Sequence, residues 1–237
     1  MCANPSKSAG DFFPAQAEAA FRELVSWPEF PCLGAKAALN SDSHTIKVFA
    51  ELGSLEATNA LASALYDFTA TAFGQGTGEY ATFIAIFKYS RQLTERQFEE
   101  LLWKQLRLLH ERDAAQFDWD PQVASDPADP HFSFSFGGQA LYVIGMHAQS
   151  SREARRFPWP VLVFNPHSQF ERLRGNGKWK RMQEVIRQRD LELQGSINPM
   201  LSDFGEQSEA RQYSGRAVEE DWRAPFQPTQ PRCPFAP

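Results

Sequence analysis

Cysteine is scarce in this chain. There are three among 237 residues, Cys2, Cys32 and Cys233, an odd number lying far apart, which excludes a disulfide framework and suits a reducing compartment. No Cys or His pair has the spacing of a zinc site. No stretch approaches the roughly 18 consecutive apolar residues of a membrane span, and Met1 to Phe13 lacks the basic-then-apolar order of a secretory leader. The protein is therefore expected to be soluble and cytoplasmic, with no membrane partner. Positive charge is also short, with 24 Lys and Arg against 29 Asp and Glu, which argues against nucleic acid as a partner. No internal repeat emerges, and Gly137-Gly138 stands outside any G-x-G-x-x-G context, so no dinucleotide site is expected.

What the chain does have is enough apolar mass for one full-sized core: 42% of its side chains are hydrophobic. A single domain over 1–237 is the expectation. The charge it carries is unevenly placed. Between Arg152 and Arg189 ten Lys or Arg (Arg152, Arg155, Arg156, Arg172, Arg174, Lys178, Lys180, Arg181, Arg187, Arg189) face Glu153, Glu171 and Glu184. That basic block suits a pocket for a carboxylate-bearing ligand, or a solvated helix face.

Hydrophobic periodicity predicts helices over Pro14–Trp27, Ser54–Phe73 and Thr94–Gln116, the last with a capping box from Thr94 to Gln97. A further helical stretch, Gln169–Leu193, is broken at Gly175-Asn-Gly177. Strands are expected at Thr45–Leu52, Ala81–Phe87 and Val161–Phe164, and a hairpin pairs Phe132–Phe136 with Ala140–Ile144 across Gly137-Gly138, whose two glycines permit a tight primed turn. Asp118–Pro130 reads as a linker. Beyond Gly195 periodicity fails but aromatics persist (Phe204, Tyr213, Trp222, Phe226, Phe235), which predicts an irregular tail, 195–237, wrapped over the body. The fold class is α+β: a small mixed, largely antiparallel sheet covered by helices.

Two histidines close strands. His147 follows Leu141-Tyr-Val-Ile-Gly-Met146 and His167 follows Val161-Leu-Val-Phe-Asn-Pro166, equivalent positions at which a rigid scaffold presents functional side chains. A hydrogen-bonded structural histidine is the plainer reading of either one alone. Cys32 starts a short helix in Phe30-Pro-Cys-Leu-Gly-Ala-Lys, where unpaired N–H groups would stabilise a thiolate, or it is a buried structural thiol. Glu79, Asp203, Glu206 and Glu209 are carboxylates able to clamp a planar guanidinium, with Arg211 close by; solvated surface acids are the alternative.

Longer blocks carry a resemblance. Phe30-Pro-Cys32, Thr77-Gly-Glu-Tyr-Ala81, Phe132-Ser-Phe-Ser-Phe-Gly-Gly138, Gly145-Met-His147 with Ser151-Arg-Glu-Ala-Arg-Arg-Phe157, Leu162-Val-Phe-Asn-Pro-His-Ser-Gln-Phe-Glu171, Ile186-Arg-Gln-Arg-Asp190, Gln194-Gly-Ser-Ile-Asn-Pro-Met200 and Asp203-Phe-Gly-Glu-Gln-Ser-Glu-Ala-Arg-Gln-Tyr-Ser-Gly-Arg216 resemble the YqcI/YcgG family, and within it the branch of haem-dependent guanidine N-hydroxylases. Ala148 departs from that branch, where proline is expected after His147. The resemblance implies an enzyme that holds haem b, takes O2 and an electron donor, and N-hydroxylates the guanidine of free L-arginine or a related small guanidino amino acid. Such chemistry belongs to antibiotic or toxin biosynthesis.

Under that reading His147 is the iron ligand, with His167 and Cys32 as alternatives. Arg152, Arg155 and Arg156 pair with haem propionates or a substrate carboxylate. Glu79, Asp203, Glu206, Glu209 and Arg211 bind substrate, and His167 and Glu79 act in catalysis. The protein is expected to be a monomer or homodimer. A haem carrier or sensor without turnover, and a haem-free interaction domain whose aromatic tail docks a partner, are the rival readings.

Overall fold

The computed structural model describes residues 9–72, 80–88, 92–175 and 177–228. Five strands form one sheet in the order β1-β2-β5-β4-β3: β1 His44–Phe49, β2 Thr82–Phe87, β3 Phe134–Phe136, β4 Gln139–Met146 and β5 Val161–Pro166. β1 and β2 run parallel, joined by the crossover helix α3 (Leu55–Ala72), and every other pairing is antiparallel. This is the mixed, largely antiparallel α+β sheet expected from the sequence.

β2 sits inside the sheet with both faces covered, which is why Thr82–Phe87 reads as an unbroken apolar run rather than an alternating one. Its pleat sorts side chains between two cores. Phe83, Ala85 and Phe87 enter a core shared with α3 and with α4 (Glu95–Asp113), whereas Ile84 and Ile86 enter a second core with α1 (Ala9–Ser26). α2 (Leu33–Asn40) lies on that second face, as do α5 (His167–Gly175) and α6 (Lys178–Gln194).

Local signals are realised where the sequence placed them. Thr94 Oγ1 accepts from Gln97 N while Gln97 Oε1 accepts from Thr94 N, closing the capping box of α4. Gly137 and Gly138 take φ of +61° and +69°, the primed turn of the β3–β4 hairpin. Gly145 answers a different need. A Cβ there would lie 2.6 Å from the Phe98 ring and 2.8 Å from the Tyr213 carbonyl oxygen, so only glycine lets α4 and the tail close on β4.

Through residue 228 the tail behaves as expected, and Phe235 lies outside the described residues. Apart from the four-residue α7 (Ala210–Tyr213) it is irregular, yet Tyr213, Val218 and Phe226 are buried, and Trp222 packs against the first core. Other bounds shift. α1 begins at Ala9 and runs through Pro14, and β1 stops at Phe49 rather than Leu52. The break between α5 and α6 falls at the Gly175–Gly177 segment, with Gly177 left-handed at φ +74°. Among the described residues no helix is long and apolar enough to cross a membrane.

Candidate active site

The second face of the sheet is not fully packed. Between Thr82, Ile84, Ile144, Met146 and Val163 of the strands and Phe21, Val25, Met182 and Ile186 of α1 and α6 lies a predominantly apolar cavity of about 240 Å³. Its sequence origin is visible in α6: Trp179, Met182 and Ile186 line the cavity, while Asp190 is the one buried residue of that 17-residue helix. An amphipathic helix ordinarily buries its apolar stripe in the core. Here the stripe of α6 faces unfilled space.

Cys32 forms part of the cavity wall. It is the N-cap of α2, with Sγ accepting from Ala35 N at 3.4 Å. Desolvation pushes the thiol up, opposed by the backbone N–H groups of Ala35 and Gly34 and by the charge of Arg155. Arg155 lines the same cavity and is held by carbonyls alone, donating to Gly145 O at 3.0 Å, Gln212 O at 3.3 Å and Tyr213 O at 3.5 Å. Among the described residues no carboxylate lies within ion-pair distance of it. A guanidinium buried without a counter-ion is costly, so the cavity favours a ligand that brings negative charge or turns Cys32 into a thiolate.

Arg152, by contrast, is already satisfied. It contacts Asp190 Oδ2 at 2.5 Å and donates to Ser196 O at 2.7 Å, tying the loop after β4 to the end of α6. Arg156 is exposed, donates to Ser150 O and pairs with Glu153, and is not among the cavity residues.

The two histidines part company. β4 and β5 pair antiparallel, Met146 opposite Val161 and Leu141 opposite Pro166, so His147 and His167 emerge at opposite ends of the sheet. The equivalence expected of their strand-closing positions is therefore corrected. His147 stacks on Phe98 of α4, centroids 4.4 Å apart, and its buried Nδ1 has no hydrogen-bond partner among the described residues. Burial lowers its pKa. It lines neither the cavity nor the side pocket described next.

That side pocket, about 130 Å³, shares Tyr142, Phe170, Trp179, Ile186 and Leu201 with the main cavity. His167 and Glu209 meet in it, Nδ1 to Oε2 at 3.8 Å. His167 Nε2 lies 3.3 Å from Glu171 Oε1, while its buried Nδ1 has no hydrogen-bond partner among the described residues. Glu209 Oε1 accepts from Tyr213 Oη at 2.6 Å. Desolvation pushes Glu209 up to about 8, against the lowering effects of Tyr213, Ser133 and Arg174. The floor of the pocket thus carries a protonated carboxyl that a bound cation would ionise.

Of the other expected substrate groups, Asp203 accepts from Trp179 Nε1 at 3.4 Å and from Gln183, bracing the pocket wall from behind. Glu206 accepts from Ser202 and from Asp203 N in a surface turn. Arg211 stacks over Trp222 and donates to Glu219 O, in a groove on another part of the surface. These three do not converge with Glu209. Glu79 lies outside the described residues.

Tyr142, Trp179 and Gln169 line the two spaces without having stood out in the sequence, where Arg174 registered merely as charge. A basic residue five positions from a tryptophan, across a glycine break, was the available signal for the Arg174–Trp179 pair. Among the described residues no group of three His, Cys, Asp or Glu side chains is placed to hold a metal ion unaided.

Comparison with known proteins gives a consistent result. The family model described as the YqcI/YcgG family matches residues 21–227. The uncharacterized protein YcgG of Bacillus subtilis (strain 168) is 27% identical over 217 residues, covering 87% of this chain and 81% of the relative. The uncharacterized protein YqcI of the same organism is 29% identical over 195 residues, covering 78% and 75%. No solved structure matches the chain.

Proposed function

The chain belongs to the YqcI/YcgG family, and from that premise we propose that it is a haem-dependent oxygenase which N-hydroxylates the guanidine of L-arginine or a related guanidino amino acid. The observation that carries the reading is the pair of adjoining spaces: an apolar cavity with a thiol at a helix N-terminus, and a side pocket floored by a buried carboxyl. The two share a wall of five residues.

The residues around the main cavity fit a haem. A flat macrocycle would supply the packing that Met182 and Ile186 lack, and Cys32 is the ligand within reach of that space, in preference to His147, which lies outside it. Arg155 stands ready to neutralise the thiolate or a propionate. The main cavity, at roughly 240 Å³, falls short of the roughly 300–1,000 Å³ of cofactor sites, so a haem enters it only as a wall moves outward. Because α6 buries so little, it is the wall that can move outward to admit the ligand.

Haem with a thiolate ligand supplies oxygen activation; the chain's own residues do the rest. Glu209 holds the guanidinium, ionising as the cation arrives, and Trp179, Phe170 and Phe204 exclude water from it. His167 Nδ1, unpartnered among the described residues and beside Glu209, takes up the proton that Glu209 gives up as the cation arrives. In the balanced reaction one atom of O2 enters an N–H bond and the other leaves as water, with two electrons and two protons from the donor.

The test is mass spectrometry of the products formed by haem-loaded protein from L-arginine, O2 and a reductant. The expected product is L-arginine heavier by one oxygen, bearing the new hydroxyl on the guanidine. Haem-loaded protein that consumes reductant and leaves arginine unchanged would favour a carrier or sensor and overturn the assignment.

A further inference from the structure

The side pocket already contains a guanidinium, and it belongs to the chain. The Arg174 Cζ atom lies 5.1 Å from the centre of the Trp179 ring and 5.7 Å from that of Phe204, and both rings line the pocket. Arg174 is also paired with Glu171, the residue that contacts His167 Nε2. His167 itself lies 4.5 Å, ring centre to ring centre, from Phe204. The cation, two aromatic faces, histidine and buried Glu209 thus form one cluster. Arg174 is last-turn in α5, with its side chain 28% exposed, so it can swing outward without unpacking the helix.

We propose that Arg174 is a resident plug of the guanidinium site: its side chain occupies the aromatic cage that a substrate guanidinium must enter, and it is displaced on binding. This rests on the reading of the side pocket as the substrate site, and it makes Arg174 a specificity-determining residue. A ligand gains entry only if its cation outcompetes an arginine, which favours guanidinium over ammonium, because the planar fork stacks on Trp179 as Arg174 does. When a site is open for only a fraction of the time, apparent affinity falls by that fraction. Removing the plug restores it. Once displaced, Arg174 remains tethered at the rim, where it can keep its pairing with Glu171 or turn to the substrate's own carboxylate.

Calorimetric titration of the full-length protein with L-arginine, and with uncharged L-citrulline as control, tests this without reference to turnover. Arg174→Gln is expected to bind L-arginine about tenfold more tightly than the natural protein. Arg174→Lys, which keeps the charge but not the planar face, is expected to fall between them. Citrulline should bind to none of the three measurably. Unchanged or weaker binding by Arg174→Gln would overturn the plug and make Arg174 a simple substrate contact. Tighter binding by Arg174→Gln in a protein that proves unable to hold haem would leave the plug standing and sink the oxygenase reading alone.

Discussion

Cys32→Ser is expected to abolish the sulfur-ligand signature in the visible spectrum of haem-loaded protein and to reduce arginine N-hydroxylation to the level of free haem. A serine hydroxyl is a poor iron donor, whereas a thiolate pushes electron density onto the iron and favours O–O cleavage. Desolvation raises the pKa of Cys32, so the ligand-free protein holds a thiol. Metal binding releases its proton, and Arg155 is the charge that makes this tolerable. His147→Ala supplies the contrast. It should leave the ligand signature intact and cost roughly 0.5–3 kcal/mol of stability, through loss of the stack on Phe98. The opposite pattern, with the spectrum indifferent to Cys32 and altered by His147, would reverse the assignment of the ligand.

Glu209→Gln should weaken L-arginine binding roughly 10²-fold, the scale of removing one partner from a buried charge pair. It should also change the protein's response to pH in a way that only the loss of a titrating group produces. The folded pKa of Glu209, about 8, is raised from the ordinary 4.5. The folded state therefore binds more protons than the unfolded chain across that window. The stability contributed is fully present below about pH 4.5 and is lost as pH rises toward 8, at up to about 1.4 kcal/mol per pH unit. The amide introduced by Glu209→Gln cannot ionise. The variant should match the natural protein in chemical denaturation near pH 4 and exceed it by a few kcal/mol at pH 8. Asp113, raised to about 6 by burial, pulls in the same direction but in both proteins alike. In the natural protein, arginine affinity should climb with pH up to about 8, because the carboxyl must lose its proton before it can pair with the incoming cation; in the variant it should be flat. A natural protein whose stability rises between pH 5 and 8, relative to the variant, would contradict the burial of Glu209.

The sequence disclosed what local chemistry decides. The capping box at Thr94 and Gln97 and the primed turn at Gly137-Gly138 each involve groups a few bonds apart, and both form where the residues place them. The aromatic tail also followed, since Tyr213 and Phe226 are too apolar to stay in water. What pairing decides was not legible. His147 and His167 looked equivalent because each closes a strand, and only the antiparallel register of β4 and β5 sends them to opposite ends of the sheet. Glu209, in Ser208-Glu-Ala-Arg-Gln-Tyr213, was one acid among four. Its burial follows from Tyr213 anchoring the segment at the Phe134 backbone, through a contact spanning 79 residues. The buried pair of Glu99 and Arg216, at 2.8 Å, is another such long-range product: it pins the tail to α4 and had no sequence signal of its own.

What fills the unpacked stripe of α6 decides between a haem enzyme and any other reading. Full-length protein mixed with excess haem and passed through gel filtration should retain about one haem per chain with a sharp Soret band, and Met182→Asp, which places a charge in the apolar cavity, should lose it. Haem that separates completely from the natural protein, or that stays bound equally well to Met182→Asp, would mean that this cavity is not the cofactor's seat.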